Sequence, residues 1–338
     1  MAGAGKLRVA FWNVMNLFEP RTHPPGPGGK PAARGPQSGD ELDSKISQLA
    51  DCINGFFGGT GPDLLGLSEI HTDRILAEVE RRLSDRYVQV WEPAGVPGET
   101  GLAVLGRASL TNGLTKVAVQ RPAKRQKGRP RCMIVRCELK GVREPILFAI
   151  NHWKSLYAKG VGVVGAALDR EETADWLGNW LSQSYGTTCA VVAGDFNAEP
   201  TEKLFNELRL RSSRYFSNAL WTNATPAYLY NTSWKFLTEP FAWEESMPAG
   251  GIQNDPRPKR TQDGNKYVVW DQLMVSGRAL RNGPIKLIEK SVDYHRDLRN
   301  STCKPNGALC PIRWSYSGPG QFEGASDHYP VVTEFEIT

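Results

Sequence analysis

The chain predicts an α/β sandwich with substantial antiparallel pairing. Two observations carry that prediction. Segments rich in β-branched and apolar residues outnumber segments with helical periodicity. Both kinds are spread along the whole length, and such a surplus of strands is not what a run of βαβ units gives.

Alternation and β-branched content place strands over Leu7–Asn13, Asp63–Glu69, Tyr87–Trp91, Leu102–Leu105, Met133–Leu139 and Ile146–His152. Further strands follow over Thr188–Gly194, Tyr267–Val275, Ile285–Glu289 and Tyr329–Ile337. Helical periodicity appears over Glu41–Phe56, Asp73–Ser84, Ala166–Gln183 and Glu202–Leu208, the last with Thr201 as N-cap after Pro200. Pro20–Gly39, Pro240–Gly264 and Asp297–Gly324 are rich in Pro, Gly or Asn and read as loops. None has the composition of a linker between two cores. The expected organisation is one domain, residues 1–338, with insertions near 20–39, 240–264 and 297–324. No short-period repeat is present.

At 338 residues the chain is long enough to bury a substantial core. Its 40% hydrophobic and 23% charged content is ordinary for a folded chain, and its formal charge of +5 suits a polyanionic substrate without requiring one. No run approaches the ~18 apolar residues of a membrane span. The start, Met1-Ala-Gly-Ala-Gly-Lys-Leu-Arg, has no apolar signal region. This favours a cytoplasmic location, with a secreted, trimmed form as the alternative. Cys132 and Cys137 lie five apart in one strand and face opposite sides. Cys52 and Cys189 read as small buried residues. Cys303 and Cys310, in a loop, could close a short disulfide, which an intracellular setting disfavours. No Cys/His spacing suggests zinc.

The chemistry concentrates at strand ends. Asn13 follows Leu7–Trp12, Glu69 ends Asp63–Ser68, and His152 ends Ile146–Asn151. Gly194-Asp195-Phe196-Asn197 closes Thr188–Gly194, and Ser326-Asp327-His328 precedes the last strand. Asp195 and Asn197, two apart, point the same way in extended backbone, with Phe196 opposite. Gly194 lets backbone or ligand come close. Asp271 sits inside an apolar run, where an acid is costly unless paired. His328 is the candidate partner, and an Asp-oriented His is a good general base. Each residue alone has an ordinary reading. Asp195 could be a turn, Asn13 a strand-end cap, Glu69 an acid before a helix, His152 a core histidine and Asp271 half of an ion pair. Their joint order is what points to one site. Asp, Asn, Glu and His gathered on one rim are the groups a Mg²⁺-dependent phosphodiester-cleaving site needs.

These residues resemble the endonuclease/exonuclease/phosphatase superfamily, which includes deoxyribonuclease I, exonuclease III, neutral sphingomyelinases and inositol polyphosphate 5-phosphatases. The likeness runs from Phe11-Trp12-Asn13-Val14-Met15-Asn16-Leu17-Phe18 to Ser326-Asp327-His328-Tyr329-Pro330-Val331 and so covers nearly all of the chain. It implies a four-layer α/β sandwich, two packed mixed sheets flanked by helices. It also implies roles. Glu69, preceded by Ser68 where many members have Gln, resembles the principal metal carboxylate. Asn13 resembles the amide supporting the metal and a phosphate oxygen, and Asp327 a second metal ligand. Asp195 resembles the acid beside the scissile phosphate, and Asn197 the phosphate-orienting amide. His328 resembles the water-activating base, with Asp271 orienting it. His152 looks like the second histidine of the deoxyribonuclease I and sphingomyelinase branches, and Lys154 adds positive charge. The implied cofactor is Mg²⁺, with Mn²⁺ or Ca²⁺ as alternatives.

The substrate is less legible. Arg121–Arg131 carries six positive charges, including Arg125, Lys127 and Arg129, and reads either as a solvated hairpin or as a phosphate-backbone clamp. Arg209, Arg211 and Arg214 could extend it. Trp221, Trp234 and Trp243 could stack on bases, although Trp is more often core. The leading expectation is a nuclease on DNA or RNA; the oligomeric state is not legible, with a monomer favoured. The alternative is a phosphodiesterase or phosphatase on a lipid head group or small phosphorylated molecule, without a visible membrane-docking hairpin. A non-catalytic binding module is disfavoured because the polar set is intact. The abasic-site endonuclease branch is also disfavoured, because His152 stands where it has Tyr.

Overall fold

The computed structural model describes residues 5–20, 35–122, 128–155, 162–183, 189–205, 210–214, 228–238, 269–296, 301–303, 309–311, 315–318 and 321–338. Two mixed seven-stranded sheets lie at its centre. The first is built from β1 (Lys6–Leu17), β2 (Leu64–Ile70), β3 (Tyr87–Glu92), β4 (Gly101–Arg107), β12 (Ile285–Leu287), β13 (Asp293–Tyr294) and β18 (Val331–Ile337). Its order is β12-β18-β1-β2-β4-β3, with β13 also on β18. The second is built from β5 (Thr111–Gln120), β6 (Cys132–Leu139), β7 (Ile146–His152), β8 (Cys189–Asp195), β9 (Arg211–Ser213), β10 (Tyr228–Asn231) and β11 (Asp271–Ser276). Its order is β5-β6-β7-β8-β11-β10-β9.

Alternation along the strands builds four layers. Val9 and Phe11 of β1 meet Phe148, Ile150, Val191 and Ala193 in the core between the sheets. Ala10 and Trp12 face the other way, onto α1 (Gly39–Gly59) and α2 (Asp73–Arg81). On the outer face of the second sheet, Ile134, Ala149 and Val192 pack on Ala174, Leu177 and Leu181 of α3 (Gly162–Gln183). Ser38 caps α1 by accepting from Glu41 N, and Thr72 caps α2 by accepting from Ile75 N. Cys132 and Cys137 belong to opposite faces of the second sheet, and Cys52 and Cys189 are buried and unbridged.

Several boundaries differ from those the sequence suggests. β5 has no counterpart, because its alternation is masked by Asn112, Gly113 and an exposed Lys116. β9 and β10 are short and mostly polar. Of the helix expected over 202–208, the described part forms one 3₁₀ turn, Lys203–Phe205, and 206–209 lie outside the described residues. β12 stops at Leu287 because Glu289–Ser291 turns as 3₁₀ helix. The excursion at 297–324 is more regular than expected. β14 (Ser301–Cys303) pairs with β15 (Leu309–Pro311), and β16 (Ser315–Gly318) with β17 (Gln321–Glu323). Cys303 aligns with Leu309 and Thr302 with Cys310, but both cysteine side chains lie outside the described residues. Residues 21–34 and 239–268 also lie outside them, with most of two expected loops. No helix among the described residues is long and apolar enough to cross a membrane.

Candidate active site

The inter-sheet core ends in polar side chains along one edge. On β1, Asn13 continues the face of Val9 and Phe11. On β7, His152 continues the face of Phe148 and Ile150, and on β8 Asp195 continues that of Val191 and Ala193. β11 runs antiparallel to β8 and starts at Asp271, which shares the face of Leu273 and Val275. Asp271 is therefore also a strand-end residue, not one inside an apolar strand. Asp195 stands level with His152 on one side and Asp271 on the other, so three side chains form a row. Gly194 makes this packing tight, since a Cβ there would lie 2.5 Å from Asn151 O.

Glu69 reaches the same edge by another route. Leu64 faces the inter-sheet core, whereas Leu65 and Leu67 face the helices, so strict alternation would send Glu69 to the helices too. A bulge corrects the phase. Pairing with β4 jumps from Ser68–Leu102 to Ile70–Gly101, and pairing with β1 from Asn13–Ser68 to Leu17–Ile70. Glu69 adopts a left-handed φ of 68°, and Met15 and Asn16 opposite it have φ of 51° and 52°. Gly101, paired with Ile70 beyond the bulge, has no room for a side chain, because a Cβ there would sit 2.0 Å from Glu92 O at the end of β3. Such strain concentrated at one edge of a sheet is typical of functional sites.

The side chains converge. Asn13 Nδ2 lies 3.1 Å from Asp195 Oδ2, 3.4 Å from Glu69 Oε1 and 3.5 Å from His328 Nε2. Its Oδ1 accepts from Met15 N at 3.0 Å. In this arrangement Asn13 turns its amide donor toward the pocket. His152 Nε2 lies 3.4 Å from Glu69 Oε1 and 3.9 Å from Asp195 Oδ2. His328 Nδ1 is 2.6 Å from Asp271 Oδ2, while its Nε2 faces Asp195 at 4.0 Å and Asp327 Oδ1 at 3.8 Å. Ser326 Oγ ties the last motif down, donating to Asn13 O at 2.6 Å and accepting from His328 N at 3.1 Å. Tyr294 Oη donates to Asp271 O at 2.5 Å.

Asn197 acts differently from an extended i+2 residue. It has φ of 47° and curls back, so its N and Nδ2 donate to Asp195 Oδ1 at 3.0 and 3.1 Å. Nδ2 also donates to Trp153 O at 3.1 Å. Asn197 braces Asp195. Phe196 faces away, as expected, against Trp153 and Phe205.

Burial dominates the charge states. It pushes Glu69 up, but His152, Arg129, the Asn16 N–H and His328 together hold this carboxyl below its usual range. Burial pushes His152 down to about 4, aided by Arg129 and Arg131 and opposed by Glu69 and Asp195. Asp195 is raised by burial and by Asp271, against His328 and His152. Asp271 is raised by burial, although His328 opposes it. Burial lowers His328, yet Asp271, Asp195 and Asp327 overcome it and hold this imidazole well above its ordinary value.

Arg131 takes the His152 N–H on its carbonyl at 2.9 Å, so the basic stretch runs directly into the site. Arg129 pairs with Glu99. Arg121 instead pairs with Glu92 and the carbonyls of Ala94, Pro93 and Gly128, and so serves as a structural latch. Lys154 is half-buried, and burial with Arg131 and Arg129 lowers its pKa. Arg125 and Lys127 lie outside the described residues, as do Arg209, Trp221 and Trp243. Arg211 is occupied by the Tyr228 hydroxyl.

Among the described residues, no three His, Cys, Asp or Glu side chains are arranged to enclose a metal ion by themselves. Mg²⁺ does not need such a cage, since it takes one or two carboxylates and keeps several waters. Glu69, held charged, and Asp327 are hard oxygen donors and fit it.

The chain belongs to the endonuclease/exonuclease/phosphatase family, whose model matches residues 10–328. Members of this family are hydrolases of phosphoric esters and generally use divalent metal ions. No curated protein matches the chain. Among solved structures, Danio rerio TDP2 complexed with single strand DNA product matches with a TM-score of 0.56 and 12% identity, over 98% of this chain and 99% of that one. Caenorhabditis elegans TDP2 matches with a TM-score of 0.55 and 14% identity, over 98% of this chain and 75% of that one. A mannosyl-6-phosphatase from Bacteroides thetaiotaomicron matches with a TM-score of 0.57 and 17% identity, over 98% and 100%. At these identities the likeness is one of fold.

Proposed function

We propose that this chain is a Mg²⁺-dependent phosphodiesterase that hydrolyses a nucleic acid strand. One observation carries the choice of substrate: Arg129 and Arg131 lie close enough to act electrostatically on both His152 and Lys154 at the end of β7. The two arginines disfavour the protonated forms of His152 and Lys154, and a polyanion relieves that repulsion. A structural relative holding a single DNA strand gives the reading a precedent.

The chain's own groups divide the work. Glu69 and Asp327 would hold Mg²⁺, which supplies positive charge against the phosphate oxygens when bound. Asn13 Nδ2 donates into the pocket and His152, neutral at pH 7, adds a second uncharged contact. His328, kept protonated by its carboxylates, donates from Nε2 to a phosphate oxygen. Asp195, made more basic by burial and braced by Asn197, orients the attacking water and takes its proton. Water then attacks phosphorus in line, the ester P–O bond breaks, and the leaving oxygen departs as an alkoxide that takes a proton from solvent. This assigns His328 a role other than the general base the sequence suggests.

The test is incubation of the purified protein with plasmid, single-stranded DNA, RNA, sphingomyelin and sugar phosphates, each with Mg²⁺ or with EDTA. Degradation of a nucleic acid with Mg²⁺ alone is the expected result. Phosphate release from a sugar phosphate, with every nucleic acid intact, would replace this reading with a small-molecule phosphatase.

A further inference from the structure

A buried cation outside the pocket is wired into it. Lys45 lies on α1 and is 0% exposed, packed beside Ile46 and Leu49 on the helix side of the first sheet. A lysine in such surroundings is costly unless its ammonium is satisfied. Its Nζ donates to the carbonyl of Met15. That carbonyl and the N–H of Asn16 belong to one peptide unit, and the Asn16 N–H donates to Glu69 Oε2 at 2.6 Å. The residue on the other side of this unit is also engaged, because Met15 N donates to Asn13 Oδ1 at 3.0 Å. Met15 and Asn16 are both left-handed, a costly backbone for non-glycine residues that surrounding bonds must hold in place.

We propose that Lys45 is a positioning residue for Glu69, acting through the Met15–Asn16 peptide. The ammonium on the carbonyl oxygen polarises the peptide, so its N–H becomes a stronger donor to the Glu69 carboxylate. It also pins the left-handed turn that orients Asn13 and Glu69 together. Lys45 thereby sets the geometry and electron density of the carboxylate without touching substrate. The metal-related part of this proposal rests on the function proposed above; the linkage from Lys45 to Glu69 does not.

Lys45→Met, which keeps length and apolar contacts but removes the donor and charge, tests it. Lys45→Gln, which keeps a donor, replaces it if the Met variant does not fold. Two readouts are taken on folded protein: the amide proton shift of Asn16 by NMR, and Mg²⁺ affinity by calorimetry. The expected result is an upfield shift of the Asn16 proton and Mg²⁺ binding weakened by about 10-fold, the lower range for loss of a group supporting a metal ligand. An unchanged Asn16 shift together with unchanged Mg²⁺ affinity overturns the proposal. If the unmodified protein binds no Mg²⁺ and cleaves no phosphate ester, the proposed function fails instead, and the Asn16 shift alone decides the role of Lys45.

Discussion

Asp195 and Asp271 stand directly opposite one another on adjacent antiparallel strands, two buried carboxylates on the same face. Like charges so placed are destabilising. His328, arriving from the other sheet, bonds Asp271 at 2.6 Å and faces Asp195 at 4.0 Å, so one imidazolium serves both. The imidazolium offsets the repulsion within the pair, and the pair in turn helps to hold the histidine charged.

Replacing either group proposed to react should cost turnover, not folding. His328→Ala and Asp195→Ala are each expected to lower kcat by at least about 10²-fold, the lower range for a positioned proton-transfer group. Steady-state kinetics on folded variants checks this, and unchanged turnover in either would remove that residue from the mechanism.

Asp271→Asn keeps the shape but withdraws the charge facing His328 Nδ1. The imidazole then loses its principal stabilising partner and donates less well to a phosphate oxygen. A fall in kcat of about 10-fold or more is expected, with KM little changed. A variant with wild-type kcat would show that Asp271 does not act through His328.

Lys154→Ala removes one cation from the rim. If the substrate is a strand of nucleic acid, affinity should fall and the slope of log K against log salt should lessen by about 1. Titrations of single-stranded DNA at several salt concentrations measure it. An identical slope would take Lys154 off the phosphate path.

Tyr87 gives a pH dependence separate from the pocket. Burial, helped by Asp85, Asp63 and Glu80 and opposed by Arg107, pushes its phenol up to about 12 from 10.0. Between those values the unfolded chain has given up a proton that the folded chain keeps. Stability is therefore undiminished by this group below pH 10 and falls as pH rises toward 12. Urea midpoints across that window should decline, and less steeply in Tyr87→Phe. Equal slopes would refute the linkage.

Gly101→Ala puts a methyl group against the Glu92 carbonyl. A loss of about 1–3 kcal/mol is expected from the overpacking, read as a lower urea midpoint. A midpoint equal to that of the unmodified protein would mean the backbone yields without cost.

Much of the site is legible in the sequence because strand alternation carries it. Asn13, His152 and Asp195 each extend an apolar series by two residues, and that pattern needs no knowledge of tertiary structure. Glu69 breaks the rule. Its phase is wrong by one, and only the bulge opposite Met15 and Asn16 turns it inward. Nothing in Leu64–Ile70 announces a bulge, so the residue was identifiable by its strand-end place and family likeness, while its route was not. Asn197 fails for a related reason, since a left-handed residue does not alternate. Lys45 sits in a helix that reads as ordinary and amphipathic, and its link to the pocket is a tertiary contact 30 residues along the chain. The four layers follow from the family likeness, whereas β5, β9 and β10 are too polar for apolar patterning to find.

The pocket belongs to neither sheet. Asn13, Glu69, Asp327 and His328 come with one slab of the molecule, and His152, Asp195 and Asp271 with the other. A chain in which each half had formed but the two had not yet closed on each other would carry every required group and still have no working centre. Activity of the proposed kind would therefore report docking of the halves, and slippage along their shared face would silence it before either half came apart.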